Sequence, residues 1–122
     1  MIDAQRERYV SLATFRKDGR EVRTPVWIAG GNGKVRVYTN ITSGKVKRIR
    51  RNGRVRVAPC DIRGTVRGEW VEAQARLIED ARKRDQGIRA FVKKYGWQMR
   101  LALFFSRLSG RYEQRAIIEL HF

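Results

Sequence analysis

The stretch Tyr38–Asn52, YTNITSGKVKRIRRN, predicts a strand end, a polar turn and a basic helix in immediate succession. Apolar and polar residues alternate from Val35 to Thr39, which is the two-residue period of a strand with one buried face. Thr42 or Ser43 then supplies the hydroxyl of a helix N-cap. The rest of the chain is expected to be arranged around this strand–turn–helix unit.

The helix of this unit is expected to bury one face and to be basic on the others. Val46 and Ile49 recur three residues apart. The remaining positions are mostly cationic, with Lys45, Lys47, Arg48, Arg50 and Arg51. A helix start exposes unpaired N–H groups and the positive end of the helix dipole. With Thr39, Ser43 and Lys45 around it, this start is a candidate phosphate site, although an ordinary helix with a solvated basic face explains the pattern equally well.

The composition predicts one domain and an anionic partner. A chain of 122 residues with 42% hydrophobic residues is long enough for one domain, residues 1–122, with its own core. The formal net charge of +16 indicates that the protein meets nucleic acid, an acidic membrane surface or a polyanionic small molecule. Charge alone does not distinguish these partners.

The sequence disfavours disulfide bonds, a cysteine-based zinc site, a signal peptide and a membrane-spanning helix. Cys60 is the only cysteine, which excludes an internal disulfide and a cysteine-based zinc site and fits a reducing cytoplasm. The N-terminus MIDAQRER is too polar for a signal peptide. The longest apolar run, Leu101–Phe105, is far shorter than the roughly 20 residues of a membrane span. We therefore expect a soluble cytoplasmic protein.

Six strands are predicted from the alternation of apolar and polar residues. Asp18-Gly19 is a hairpin signal between the first two, because both residues tolerate positive φ, and Asn52-Gly53 is a C-cap signature for the basic helix. The predicted strands are Tyr9–Phe15, Glu21–Ala29, the run that ends at Thr39, Arg54–Asp61, Glu69–Ile78 and Arg115–Phe122.

The second predicted strand carries Arg23, Pro25 and Trp27 on one face. Proline lacks the N–H that a sheet uses, so it is tolerated at an edge, at a bulge or beside a ligand. A lone tryptophan is most often a packing residue, but the three side chains together are more typical of the wall of a site than of a core.

Two helices are predicted between the fifth and sixth strands. Asp80 caps the first, in which Ile88, Phe91, Val92 and Tyr95 recur at helical spacing. Gly96 ends it, and a second helix follows over Trp97–Leu108. Its run Leu101–Phe105 is apolar on every side, so we expect this helix to lie against the barrel or a second subunit.

These elements predict a mainly β fold with α-helices: a six-stranded antiparallel barrel, a short helix between strands three and four, and two helices in the C-terminal half. The runs VRTPVWIA, VYTNITSGKVKRIRRNGRVRVAPCD and GEWVEAQARLIED resemble the pyridoxamine 5'-phosphate oxidase-like split-barrel superfamily, also known as the FMN-binding split barrel. More narrowly, they are similar to its actinobacterial deazaflavin-dependent branch, whose cofactor is coenzyme F-420. The resemblance is clearest between residues 8 and 80.

The resemblance implies a phosphate site. In flavin-binding members, an arginine on the second strand, a Tyr-Thr pair at the end of the third strand and a Ser-Arg-Lys triplet at the helix start contact the cofactor phosphate. The matching residues here are Arg23, Tyr38, Thr39, Ser43 and Lys45. Gly44 stands where the triplet has its arginine, and this difference removes one phosphate ligand and disfavours FMN.

The deazaflavin branch implies further contacts from two strands. The ring system would be lined by Arg23, Thr24, Pro25, Val26 and Trp27, with Ala58, Pro59 and Cys60 close to it. The negatively charged phosphodiester and oligoglutamate tail of coenzyme F-420 would be matched, more loosely, by Lys47, Arg50 and Arg56. This tail gives the positive net charge a specific use.

The cofactor is expected to carry the chemistry, so no side chain is predicted to be catalytic. His121 is the only histidine, which leaves metal, Ser-His-Asp and Cys-His mechanisms poorly supported. Reduced deazaflavin would transfer a hydride to an electron-poor small molecule such as an enone, quinone or tetrapyrrole. The C-terminal residues that recognise pyridoxal have no clear match, which disfavours oxidation of that vitamin.

Three alternatives remain open. The first is an FMN-binding flavin reductase or oxidase of the same fold. The second is a basic nucleic-acid-binding barrel, which the charge and the aromatic residues support but which lacks an RNA-recognition or helix-turn-helix signature. The third is a protein that binds the cofactor without turnover. The resemblance also implies a homodimer in which the second subunit completes the substrate pocket, and the sequence does not identify the substrate.

Overall fold

The computed structural model describes residues 2–31, 34–98 and 115–122. Within these residues the chain forms six strands and two helices. The strands are β1 (Tyr9–Phe15), β2 (Glu21–Gly31), β3 (Lys34–Asn40), β4 (Arg54–Cys60), β5 (Val71–Leu77) and β6 (Arg115–His121). The helices are α1 (Gly44–Arg51), between β3 and β4, and α2 (Ala81–Tyr95), between β5 and β6.

The six strands close into an antiparallel barrel in the order β1-β2-β3-β6-β5-β4. The pairing of β1 with β4 places Leu12 opposite Val57, and the pairing of β3 with β6 places Val37 opposite Ile118. The predicted six-stranded antiparallel barrel, with a helix between the third and fourth strands, is confirmed.

Alternate residues of the strands fill the barrel interior. The fully buried ones include Val10, Leu12, Ile28, Val37, Val57 and Ile118, which pack in one cluster with Ile2 and Ala4 of the N-terminal segment. Burying one side chain of this size contributes about 1.5–3 kcal/mol. The closed core therefore gives a rigid frame for the groups at its ends and on its outer face.

The short helix α1 packs on this frame through Val46 and Ile49, both buried. The predicted C-cap at Asn52-Gly53 ends the helix at the right place, although without the left-handed backbone common at such ends: Asn52 is extended at φ −145°, and Gly53 is not among the glycines of positive φ. Gly53 is needed for space instead, because a Cβ there would lie 2.8 Å from the carbonyl oxygen of Ala75.

The longer helix α2 packs on the outside of the barrel. Asp80, its predicted N-cap, accepts hydrogen bonds from the backbone N–H groups of Arg82 (2.9 Å) and Lys83 (3.2 Å). Gly96 ends the helix at φ +60°. The buried face of α2 forms a second cluster with the barrel, made of Ala29, Ile78, Ile88, Phe91, Tyr95 and Ile117.

The predicted boundaries lie close to the observed ones. The strand β1 has the predicted bounds, whereas β2 runs on to Gly31 and β5 begins only at Val71. The second C-terminal-half helix, predicted over Trp97–Leu108, lies beyond residue 98 for most of its length and so outside the described residues.

Candidate functional site

The start of α1 leaves hydrogen-bonding groups available for a ligand. Ser43 is the N-cap, yet its side chain makes no capping hydrogen bond, and the first turn carries no acidic residue. Its hydroxyl lies 3.4 Å from the Thr39 hydroxyl. Asn40 Oδ1 stabilises the turn before α1 by accepting hydrogen bonds from the backbone N–H and the hydroxyl of Thr42. Two hydroxyls therefore lie at the positive end of the helix dipole, where an anion is stabilised.

The amine of Lys45, the second residue of α1, is partly buried. Within the described part of the chain it forms no hydrogen bond or ion pair. Burial lowers the pKa of Lys45, and the nearby Arg48 guanidinium lowers it further. A bound anion would offset both effects. Thr39, Ser43, Gly44 and Lys45 are referred to below as the α1 seat.

Arg48 is a cation beside the α1 seat to which the sequence assigned no binding role. Its Nε donates a hydrogen bond to Thr14 Oγ1 (2.6 Å), and its Nη1 lies 2.8 Å from the position that a Cβ on Gly44 would occupy. A guanidinium from the next helical turn therefore fills the space above Gly44, where the flavin-binding pattern has an arginine. The four-residue spacing of Gly44 and Arg48 was the available signal.

Arg23 and Pro25 lie on the outer face of the barrel, against the loop between β4 and β5. The guanidinium of Arg23 lies 4.6 Å from the centre of the Trp70 ring and 3.0 Å from Glu21 Oε2. Pro25 packs under Gly64, whose Cβ position is 3.6 Å from Pro25 Cδ. Both predicted site residues are thus held by contacts within the chain.

Thr24 and Val26 occupy the alternate positions of β2, opposite Leu12 and Val10 of β1. Successive side chains of a strand point to opposite faces, so these two point away from the face of Arg23. Val26 is 6% exposed and belongs to the barrel core.

Trp27 and Tyr38 are neighbours in an aromatic cluster beneath α2. They are paired in the β2–β3 register, and their ring centres are 6.1 Å apart. Trp27 stacks on Tyr95 with ring centres 4.5 Å apart and planes at 10°. Tyr38 also lies 5.6 Å from the ring of Phe91. The structure therefore brings these two predicted residues together, with α2 as one wall of their surroundings.

The end of β4 is buried. Ala58 is 0% and Cys60 1% exposed, and Pro59 lies 3.1 Å from the Cβ position of Gly68. Burial raises the pKa of the Cys60 thiol, and Asp61 raises it further. The thiol is therefore protonated at neutral pH and a poor nucleophile.

The three cations that were matched to the cofactor tail differ in whether they already form ion pairs within the chain. Arg50 lies 3.8 Å from Glu79 Oε1, and Arg56 pairs with Glu21 and lies over the Trp70 ring. Lys47 is exposed on α1. The predicted binding residues thus fall into separate groups: the α1 seat, the Trp27–Tyr38 pair, the residues around the β4–β5 loop, the oppositely directed Thr24 and Val26, and the exposed cations Lys47 and Arg50.

No three His, Cys, Asp or Glu side chains are arranged to hold a metal ion within the described ranges. His121 Nε2 lies 2.9 Å from Glu119 Oε1 at the end of β6. Among the helices described here, none is long and apolar enough to cross a membrane.

Several solved structures share this fold. A conserved hypothetical protein of Mycobacterium tuberculosis is 22% identical with a TM-score of 0.70, and the match covers 94% of this chain and 72% of that one. The heme storage protein HutZ of Vibrio cholerae is 15% identical with a TM-score of 0.69, over 97% and 83%. An F420 reductase is 20% identical with a TM-score of 0.55, over 97% and 88%. At these identities the likeness is one of fold.

The family comparison covers nearly the whole chain. No curated protein matches the sequence. The family model described as pyridoxamine 5'-phosphate oxidase matches residues 3–122, which include every strand of the barrel and the α1 seat. The chain therefore belongs to the pyridoxamine 5'-phosphate oxidase family.

Proposed function

We propose that this protein is an oxidoreductase that binds coenzyme F-420 at the α1 seat and transfers a hydride from the reduced cofactor to an electron-poor small molecule. The observation that carries the proposal is the helix start itself. Two hydroxyls lie 3.4 Å apart at the N-terminus of α1, which has no side-chain cap. Two residues after Ser43 is Lys45, whose partly buried amine has no partner among the described residues.

The residues of the α1 seat suit a phosphate group. The Thr39 and Ser43 hydroxyls can each donate a hydrogen bond to a phosphate oxygen, and the ammonium of Lys45 adds a charge-assisted one. The N–H groups of the first turn stabilise the same negative charge. When bound, the deazaflavin supplies the hydride, and the role of the chain is to bind, orient and shield it.

Two further features support the deazaflavin. The net charge of +16 favours a cofactor with a polyanionic tail and would raise its rate of association in a salt-dependent way. A structural neighbour of the same fold is an F420 reductase. The Trp27–Tyr38 pair adds apolar aromatic surface of the kind that packs against a planar ring.

FMN is the second candidate, and one observation favours it. The guanidinium of Arg48 lies above Gly44, its Nη1 2.8 Å from the Cβ position. It restores a cation at the place where the sequence lacks the arginine of the flavin-binding triplet. The phosphate site alone therefore does not exclude FMN, and the two cofactors have to be compared directly.

We also expect a homodimer whose second subunit completes the substrate pocket. The outer-face residues around Arg23 and the exposed side chain of Trp97, 69% exposed, are available to such a neighbour.

The variant Lys45→Ala tests the site. Loss of one charge-assisted contact of about 1.5–3 kcal/mol should weaken the affinity for coenzyme F-420 by roughly tenfold or more. Lys93→Ala, which removes the same charge from an exposed position on α2, is the matched control and should change the affinity little. Calorimetric titration measures both. Equal affinities of the two variants would remove Lys45 from the site.

A further inference from the structure

A second group of cations lies between α1 and the hairpin that joins β1 to β2. A cavity of about 400 Å³ opens there. Six of its lining residues are basic: Arg16, Lys17, Arg20, Lys47, Arg48 and Arg51. This cavity is referred to as the hairpin pocket.

The hairpin pocket lies beside the α1 seat and shares Gly44 with it. Gly44, Lys47, Arg48 and Arg51 line it and follow the i, i+3, i+4, i+7 spacing of a single helical stripe. Thr39, Ser43 and Lys45 are not among its lining residues. Gly44 has no side chain, and the Arg48 guanidinium occupies the space that a side chain would take there.

Two of the guanidinium groups are held in place from β1. Arg48 Nε donates a hydrogen bond to Thr14 Oγ1 (2.6 Å), and Arg51 Nη2 donates one to the carbonyl oxygen of Phe15 (3.0 Å). Each guanidinium keeps further N–H donors for a ligand, because it has five in all. Donors that are already oriented lose less conformational entropy when a ligand binds.

The positive charge of the hairpin pocket is not balanced by its own residues. Asp18 is the acidic residue in the lining, and it pairs with Arg20 at 2.7 Å. Arg16, Lys17 and Lys47 form no side-chain hydrogen bond or ion pair within the described ranges. Burial lowers the pKa of Arg48, and Arg16 and Arg51 lower it further. These cations therefore repel one another unless an anion lies between them.

We propose that the hairpin pocket is a second anion site, beside the α1 seat, for a small molecule with two or more phosphate groups. A multiply charged phosphate matches the excess of cations, and its oxygens can accept hydrogen bonds from the remaining N–H donors of Arg48 and Arg51. The six cations line one open pocket of about 400 Å³, a size that suits a compact anion better than a nucleic-acid strand.

Inorganic pyrophosphate is the probe, titrated calorimetrically at low and moderate salt. We expect saturable binding to the wild type and at least tenfold weaker binding to the double variant Arg16→Gln/Lys47→Gln, since each lost charged contact is worth about that factor. Gly44→Ala should also weaken binding without any change of charge, because its Cβ would displace the Arg48 guanidinium. Lys93→Gln should bind nearly as the wild type does. In a Lys45→Ala background, which removes the contribution of the α1 seat, the double variant should still bind at least tenfold more weakly.

Thermal unfolding shows whether the double variant is folded. It should melt no lower than the wild type, because the substitutions remove repulsion at exposed positions, and pyrophosphate should raise its Tm less. Three outcomes overturn the proposal: no pyrophosphate binding to the wild type, equal loss in Lys93→Gln and the double variant, or loss confined to Lys45→Ala. Binding of an oligonucleotide but not of pyrophosphate would also overturn it, in favour of a nucleic-acid surface.

Discussion

Replacing Lys94 with methionine should destabilise the protein strongly, because its amine joins three parts of the chain. Lys94 Nζ donates hydrogen bonds to the carbonyl oxygens of Ala4 (2.7 Å), Ile28 (2.6 Å) and Glu7. These contacts tie α2 to β2 and to the N-terminal segment. Methionine keeps most of the side-chain volume and removes all three donors.

The expected loss follows from these contacts. A hydrogen bond to a charged group contributes about 1.5–3 kcal/mol net. Three such bonds do not add in full, because the amine is only half-buried and water can reach the carbonyls after its removal. We therefore expect a loss of about 3 kcal/mol in the free energy of unfolding. For a chain of this size that corresponds to a fall in Tm of roughly 12 °C.

The matched control is Lys93→Met, because Lys93 is the exposed neighbour on the same helical turn. Urea and thermal unfolding are measured near neutral pH, below the pKa of about 8 to which burial lowers the Lys94 amine. Limited proteolysis should cut the N-terminal segment faster in Lys94→Met alone. Equal stability of the two variants would refute the reasoning, since it would mean that the three carbonyl contacts contribute nothing.

Two further substitutions test the outer face of the barrel and the packing of α2. Burial raises the pKa of Glu21, but hydrogen bonds from Arg56 and Arg23 lower it overall. The carboxylate therefore stabilises the fold above its unfolded pKa of 4.5, and this stabilisation is lost as the pH falls below that value. Glu21→Gln should be less stable at neutral pH and lose less stability on acidification, and an unchanged pH profile of Tm would contradict this. Gly87→Leu should lower the free energy of unfolding by about 1–3 kcal/mol, because a Cβ at residue 87 would already lie 3.0 Å from the Ile117 side chain. Adding Ile117→Ala should restore part of that free energy, measured by urea unfolding. A further decrease would contradict the close packing of Gly87 on Ile117.

The elements of the fold could be predicted because their signals are local. The alternation of apolar and polar residues predicted the inward face of β1, β4 and β6. Asp18-Gly19 predicted the hairpin between β1 and β2, where Gly19 has φ +89°. The proximity of the Thr39 and Ser43 hydroxyls was predictable for the same reason, since both residues belong to one strand–turn–helix unit and come together without help from distant segments.

The contacts that the sequence did not reveal join distant residues. Thr14 holds Arg48 across 34 positions, and Lys94 reaches Ala4 across 90. Neither pair has the spacing of two, three or four residues from which a contact within a strand or helix can be predicted. The role of Gly53 was missed for a similar reason, since the carbonyl that approaches it belongs to β5, and turn chemistry was the only local explanation.

The ring on which Trp27 stacks could not be predicted from the sequence either. Its place on the outer face of β2 followed from alternation, but its stacking on Tyr95 depends on the docking of α2. The hairpin pocket likewise arises only when α1 lies beside the β1–β2 turn, although all of its cations are visible in the sequence.

The most direct test of the proposed function is a paired calorimetric titration of the purified protein with coenzyme F-420 and with FMN, at low and moderate salt. Saturable binding of coenzyme F-420, much tighter than that of FMN and weakened by salt and by Lys45→Ala, is the result that we predict. Tighter binding of FMN, or no binding of coenzyme F-420 at low salt, would contradict the proposal that this barrel is a deazaflavin-dependent oxidoreductase.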